Sequence, residues 1–131
     1  MLSRRDFGLG AVTGAGALAA MASGTAQAAG AAVYSMNVLY PHHPGAKFDH
    51  AYYRATHIPM VREIMKPLDV VLVEGVATPA GPAPFVMIAH IQFASLEALQ
   101  AAQARPRSPE LRADLAKFTD IKPMIMIGKT A

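Results

Sequence analysis

Between Phe85 and Phe93 almost every residue is apolar, whichever face of an extended chain it falls on. Phe85, Met87, Ala89, Ile91 and Phe93 alternate with Val86 and Ile88. The run from Val70 to Val76 has the same character. A strand that is greasy on both sides is not a surface strand, and the sheet containing it must lie between two covers. That requirement constrains the fold more than any other feature of these 131 residues.

The remaining segments supply one cover. Val33 to Tyr40 reads as a strand, with Tyr34, Met36, Val38 and Tyr40 on one face and Ser35, Asn37 and Leu39 on the other. A Pro/Gly turn follows, and Asp49 then stands as the N-cap of a helix expected to run to about Lys66. Pro59 within it lacks an N–H and is expected to kink or break the helix. Leu68 to Ala77 is β-branched, Thr78 to Pro84 is a loop, and Phe85 to Phe93 is the third strand. Ser95 caps a second helix, interrupted at Arg105-Pro106-Arg107 and restarted by Ser108-Pro109-Glu110 with Ser108 as the cap. Ile121 to Gly128 is the last strand, expected at a sheet edge where Pro123 costs no ladder bond. The order β-α-β-β-α-β is the ferredoxin-like α+β arrangement. Its two helices cover one sheet face, so a partner sheet in a homodimer is expected on the other.

The first 28 residues are expected to be a cleaved signal peptide. Ser3-Arg4-Arg5-Asp6-Phe7 carries a twin-arginine core, a weakly apolar Gly/Ala run follows, and Ala26-Gln27-Ala28 offers small residues for cleavage. Gly8 stands where this pattern usually has Leu, so Sec export is the alternative. Residues 29–131 are then one domain of about 100 residues, bound for the periplasm and not the membrane. The chain has no cysteine, which removes disulfides, thiol nucleophiles and thiolate metal sites. Its net charge of +3 is scattered, without a basic stripe interleaved by aromatics, and nucleic acid is not an expected partner.

One helical stripe points to chemistry. Wound at 100° per residue, Tyr53, His57, Met60 and Ile64 fall within about a 60° arc, so a phenol and an imidazole share a face that packing alone would make apolar. His57 is the candidate acid/base, with Tyr53 one turn earlier to orient it or to donate to an oxyanion. A buried histidine tied to a carbonyl near Pro59 is the structural alternative. Tyr52 points about 100° away and is a packing or rim residue, a candidate for the edge of a substrate site. Asn37 on the first strand and His90 on the third are further candidates for ligand contact, or polar groups facing a partner subunit. His42 and His43 read as a surface loop. His50 and His57 lie about 10 Å apart along a helix, too far to ligate one ion, so no metal site is expected. Without a Gly-rich phosphate loop no dinucleotide cradle is expected either, and cofactor-independent chemistry is the default.

Several of these residues also carry a resemblance. The Tyr40-Pro41 strand end, the Pro44-Gly45 loop, Phe48-Asp49 at the helix entry, Tyr52-Tyr53, His57-Ile58-Pro59 and Phe118-Thr119-Asp120 together resemble the EthD family of the dimeric α+β barrel superfamily, over residues 33–128. The resemblance implies a ferredoxin-like dimer with a pocket between sheet and helices. It also implies an enzyme of oxidoreductase type acting on a small hydrophobic or aromatic molecule. Haem-degrading relatives of the fold combine Asn, Trp and His, and this chain has no Trp. A lactone isomerase or dehydratase, and a non-catalytic ligand-binding accessory protein, stay open beside the oxidoreductase. A histidine whose tautomer no buried partner fixes would favour the accessory protein.

Export through the twin-arginine route makes a direct demand on Arg4 and Arg5. Replacing both with Lys is expected to hold the protein, folded, in the cytoplasm. An unchanged periplasmic yield on fractionation would assign export to Sec.

Overall fold

The computed structural model describes residues 32–130; the signal-peptide reading of residues 1–28 lies outside them. Four strands form one antiparallel sheet: β1 (Tyr34–Pro41), β2 (Asp69–Glu74), β3 (Phe85–Phe93) and β4 (Met124–Lys129). Their spatial order is β2-β3-β1-β4, the ferredoxin-like order that the element sequence implies. Strand β4 is an edge, but it begins at Met124, after Pro123. The proline has no N–H to give the β1 ladder and ends the approach to the strand.

Helix α1 joins β1 to β2 in three continuous pieces: an α-helical His50–Tyr52, a π-helical turn Tyr53–His57, and an α-helical Ile58–Met65. Asp49 caps it, its Oδ1 accepting the Tyr52 N–H at 3.0 Å. Lys66, in the left-handed region at φ 50°, ends it. Helix α2 (Leu96–Gln103) starts at Ser95, whose Oγ accepts the Ala98 N–H. Helix α3 (Ser108–Asp114) runs into a 3-10 turn, Leu115–Lys117. Ser108 does not cap α3; its hydroxyl reaches back 2.7 Å to the Ala102 carbonyl, closing the turn that Pro106 forces between α2 and α3.

The π turn is the outcome of Pro59. An α-helical proline at that position would leave the Ala55 carbonyl without its donor and press its ring against it. The chain widens instead, with the Ile58 N–H bonding the Tyr53 carbonyl five residues back, and the helix continues without a break. The extra residue in the turn changes the inward face. Tyr53 and His57 keep their place, but Ile58, Val61 and Met65 follow them into the cavity beneath the helix, and Met60 does not.

The helices cover the face that carries Met36, Tyr40, Met87, Ala89, Ile91 and Phe93, all buried. Cross-strand pairs define the other face, where Leu39 lies against Ile88 and Met124, Ile88 against Val73, and His90 against Val71. Nothing within the described residues covers it. Val71 is 43% exposed, Val73 52%, Met124 57% and Met126 58%.

Candidate functional site

His57 sits at the C-terminal end of the π turn, 5% exposed, and its ring lines a cavity of about 620 Å³ between the helices and the covered sheet face. Its Nδ1 lies 2.9 Å from Oδ2 of Asp114, at the end of α3. Asp114 is itself 3% exposed and takes a second bond, 2.8 Å, from the Tyr52 hydroxyl on Oδ1. A buried carboxylate needs such partners, because an unpaired one would be too costly to keep charged. Burial works against its charge, but the bonds from His57 and Tyr52 outweigh burial and hold its pKa below the ordinary value.

The histidine responds in the opposite sense. Burial lowers the His57 pKa below 6.5, and the hydrogen bond and charge of Asp114 recover only part of the shift. The imidazole is therefore neutral at neutral pH. With an anionic acceptor at Nδ1, the ring proton resides there. Nε2 keeps its lone pair, and it makes no hydrogen bond among the described residues. The arrangement is a base of fixed tautomer at the wall of a cavity.

Aromatic rings hold this base in place. Tyr53 stacks on it, planes 17° apart and centroids at 5.6 Å, while Phe118 meets it at 4.7 Å. Tyr40, from β1, meets Tyr53 edge to face. Both phenols line the cavity. Burial pushes the Tyr40 pKa up to about 12, against the neighbouring Tyr53 side chain, and raises that of Tyr53 further. Both stay protonated, and the Tyr53 hydroxyl is turned toward Tyr40. The rest of the wall is largely apolar, including Met36, Val38, Ile58, Val61 and Ile125.

The candidates from the sequence thus separate into two places. His57, Tyr53 and Tyr52 converge, but with changed roles: Tyr53 is a stacking partner in the cavity wall, and Tyr52 acts from behind through Asp114. Asn37 and His90 lie on the uncovered sheet face, where His90 Nδ1 is 2.6 Å from Asn37 Oδ1 and Asn37 Nδ2 donates to Ser35 Oγ at 3.1 Å. They line a separate hollow of about 230 Å³ with Met126 and Gly128, away from His57. His42 and His43 are exposed in their loop. Asp120 accepts the Lys47 N–H and pins the loop before α1.

Asp114 is the residue the sequence reading missed. A signal was present: Leu111, Asp114, Leu115 and Phe118 follow the i, i+3, i+4, i+7 spacing of an inward helical stripe, with one carboxylate in it. An aspartate on an apolar helical face stands out for the same reason as His57.

The model of the EthD domain matches residues 43–122, a span that contains Tyr52, Tyr53, His57 and Asp114. The chain belongs to the EthD domain family. Among solved structures it is similar to an EthD-like protein from Ralstonia eutropha, at 32% identity and a TM-score of 0.68, over 75% of this chain and 91% of that one. It is also similar to an ethyl tert-butyl ether D family protein from Bacillus halodurans, at 23% identity and a TM-score of 0.63, over 76% of this chain and 99% of that one. An Arabidopsis thaliana protein shares the fold at 14% identity and a TM-score of 0.58, over 75% and 95% of the two chains. A comparison with curated proteins finds no match.

The lowered His57 pKa has a consequence for this EthD domain. The unfolded chain protonates His57 at about 6.5, whereas the folded one resists protonation until lower pH. Between those values the unfolded state binds more protons, so stability falls as pH drops. Urea melts at pH 5 and pH 8 are expected to lose part of this difference in His57→Asn; an identical pH slope in both proteins would contradict a depressed pKa.

Proposed function

We propose that this EthD-domain protein is a small exported enzyme that carries out acid/base chemistry on a small apolar or aromatic molecule, with His57 Nε2 as the proton acceptor. The observation that carries the reading is Asp114, buried and bonded to Nδ1 at 2.9 Å. A protein that merely holds a ligand has no need to fix a tautomer with a buried carboxylate. Tyr40, kept protonated by burial, can donate to an oxyanion as the proton leaves a carbon or hydroxyl next to it. Proton removal of this kind opens both oxidative and isomerising reactions, and it asks for no tightly bound cofactor. The fixed tautomer favours either enzyme over the accessory protein.

The working form is a homodimer in the periplasm, its two sheets packed face to face. Support comes from Val71, Val73, Met124 and Met126, each more than two-fifths exposed on one contiguous sheet face. Such a patch on a domain this small is an interface in the making. Sedimentation at micromolar concentration is expected to give a dimer, and Val73→Glu to weaken it. A folded wild-type monomer would contradict this.

The chemistry can be tested without the natural substrate. A panel of apolar ketones and lactones with exchangeable α C–H groups is incubated in D₂O, and deuterium uptake is followed by mass spectrometry. The wild type is expected to accelerate exchange for some members. His57→Asn is expected to lose about 10²–10⁴-fold, the range of general-base contributions, while keeping its fold. Asp114→Asn is expected to lose less, and to move the acid limb of the rate profile to lower pH, because the anion no longer supports the imidazolium. Full activity in His57→Asn would end the acid/base reading.

A further inference from the structure

We propose that the molecule taken by the cavity beside His57 is an acid: an apolar body carrying one anionic group, which Arg112 and Lys122 receive. The inference rests on that cavity being the functional site and goes beyond it by assigning the ligand's charge. The lining is apolar apart from the two phenols, His57 and a few neutral polar groups, and its ionised side chains are Arg112, from α3, and Lys122, from the approach to β4. No carboxylate lines the cavity, and the imidazole is neutral at neutral pH.

The acidic residues nearby are engaged elsewhere. Arg107 takes both Glu63 and Glu110, at 3.1 and 3.0 Å. Arg54 takes Glu74. Asp120 serves the Lys47 N–H and lies 3.6 Å from His43, and Asp114 is bonded to His57 and Tyr52. Among the described residues, Arg112 and Lys122 make no ion pair. Two unneutralised cations from different elements thus border an apolar space that offers them no counter-charge. An apolar ligand without charge would leave them as they are; one ending in a carboxylate, phenolate or sulfonate would bring its charge into the space that both border. Arg112 can bind such a group through two parallel N–H bonds. Holding the anionic end there leaves the apolar remainder of the molecule in the space that His57 and the phenols border.

Both side chains are exposed, so water screens the pair and the gain is modest, about tenfold in affinity at low salt. A matched pair of probes reads it: 2-naphthoic acid, anionic at pH 7.5, and its neutral relative 2-naphthalenemethanol. Calorimetric titration of the wild type is expected to give about tenfold tighter binding of the acid, an advantage that shrinks as salt rises. The double variant Arg112→Gln/Lys122→Gln is expected to bind both probes alike, at the wild-type affinity for the alcohol. Val61→Phe, which pushes a ring into the cavity from its wall, is expected to weaken both. Equal binding of the two probes by the wild type, with both lost in Val61→Phe, would overturn the acid preference while leaving the cavity as a binding site. Binding of the acid that survives in Val61→Phe would put it outside the cavity and overturn the proposal too. Thermal melts of the variants report whether each is folded.

Discussion

The hydrogen bond between His57 and Asp114 is the contact on which the helical layer turns. It joins residues 57 apart in sequence and ties the middle of α1 to the end of α3, the two elements that roof the cavity. Either partner alone would be a liability. A carboxylate with 3% exposure and no donor costs several kcal/mol or loses its charge. An imidazole without an acceptor would have no preferred tautomer. Together, and with Tyr52 on the second carboxylate oxygen, they satisfy each other and leave one nitrogen uncommitted.

The π turn shapes the roof around that bond. In a regular helix Tyr52, Tyr53 and His57 would hold positions fixed by a 3.6-residue repeat, and Pro59 would sit against the Ala55 carbonyl. The wider turn relieves the proline and puts Ile58, with Val61 and Met65, under the cavity roof. The same irregularity therefore serves the backbone and the site. Its origin is a single residue two positions after the histidine, which makes His57-Ile58-Pro59 a structural unit as well as a motif.

The sheet and its order were legible because alternation and turn residues encode them locally. Phe85–Phe93 matches the strand to the residue, and Asp49 and Ser95 cap their helices. Edges were less so: Pro123 lies before β4 and Ser108 bonds backward, since both outcomes depend on neighbours distant in sequence. The site was half legible. His57 and Tyr53 stood out by being polar on an inward stripe. Asp114 was passed over, although its own stripe broke the same rule. The role of Tyr52 could not be read from helical angle at all, because it is set by where α3 ends relative to α1.

The two faces of the sheet divide the work. Toward the helices β1 and β3 present Met36, Tyr40 and Ile91, with the smaller Val38 and Ala89 among them, and all five line the cavity. On the far face Asn37, His90 and Ser35 bond one another within an otherwise apolar surface. His90 Nε2 makes no hydrogen bond among the described residues, so in the proposed dimer it needs a partner from the second sheet. The cavity can thus be varied from the helical side without disturbing that outer face. Conversely, in the dimer proposed above, a change at His90 or Asn37 should act on assembly first, and reach His57 only through the strands between them.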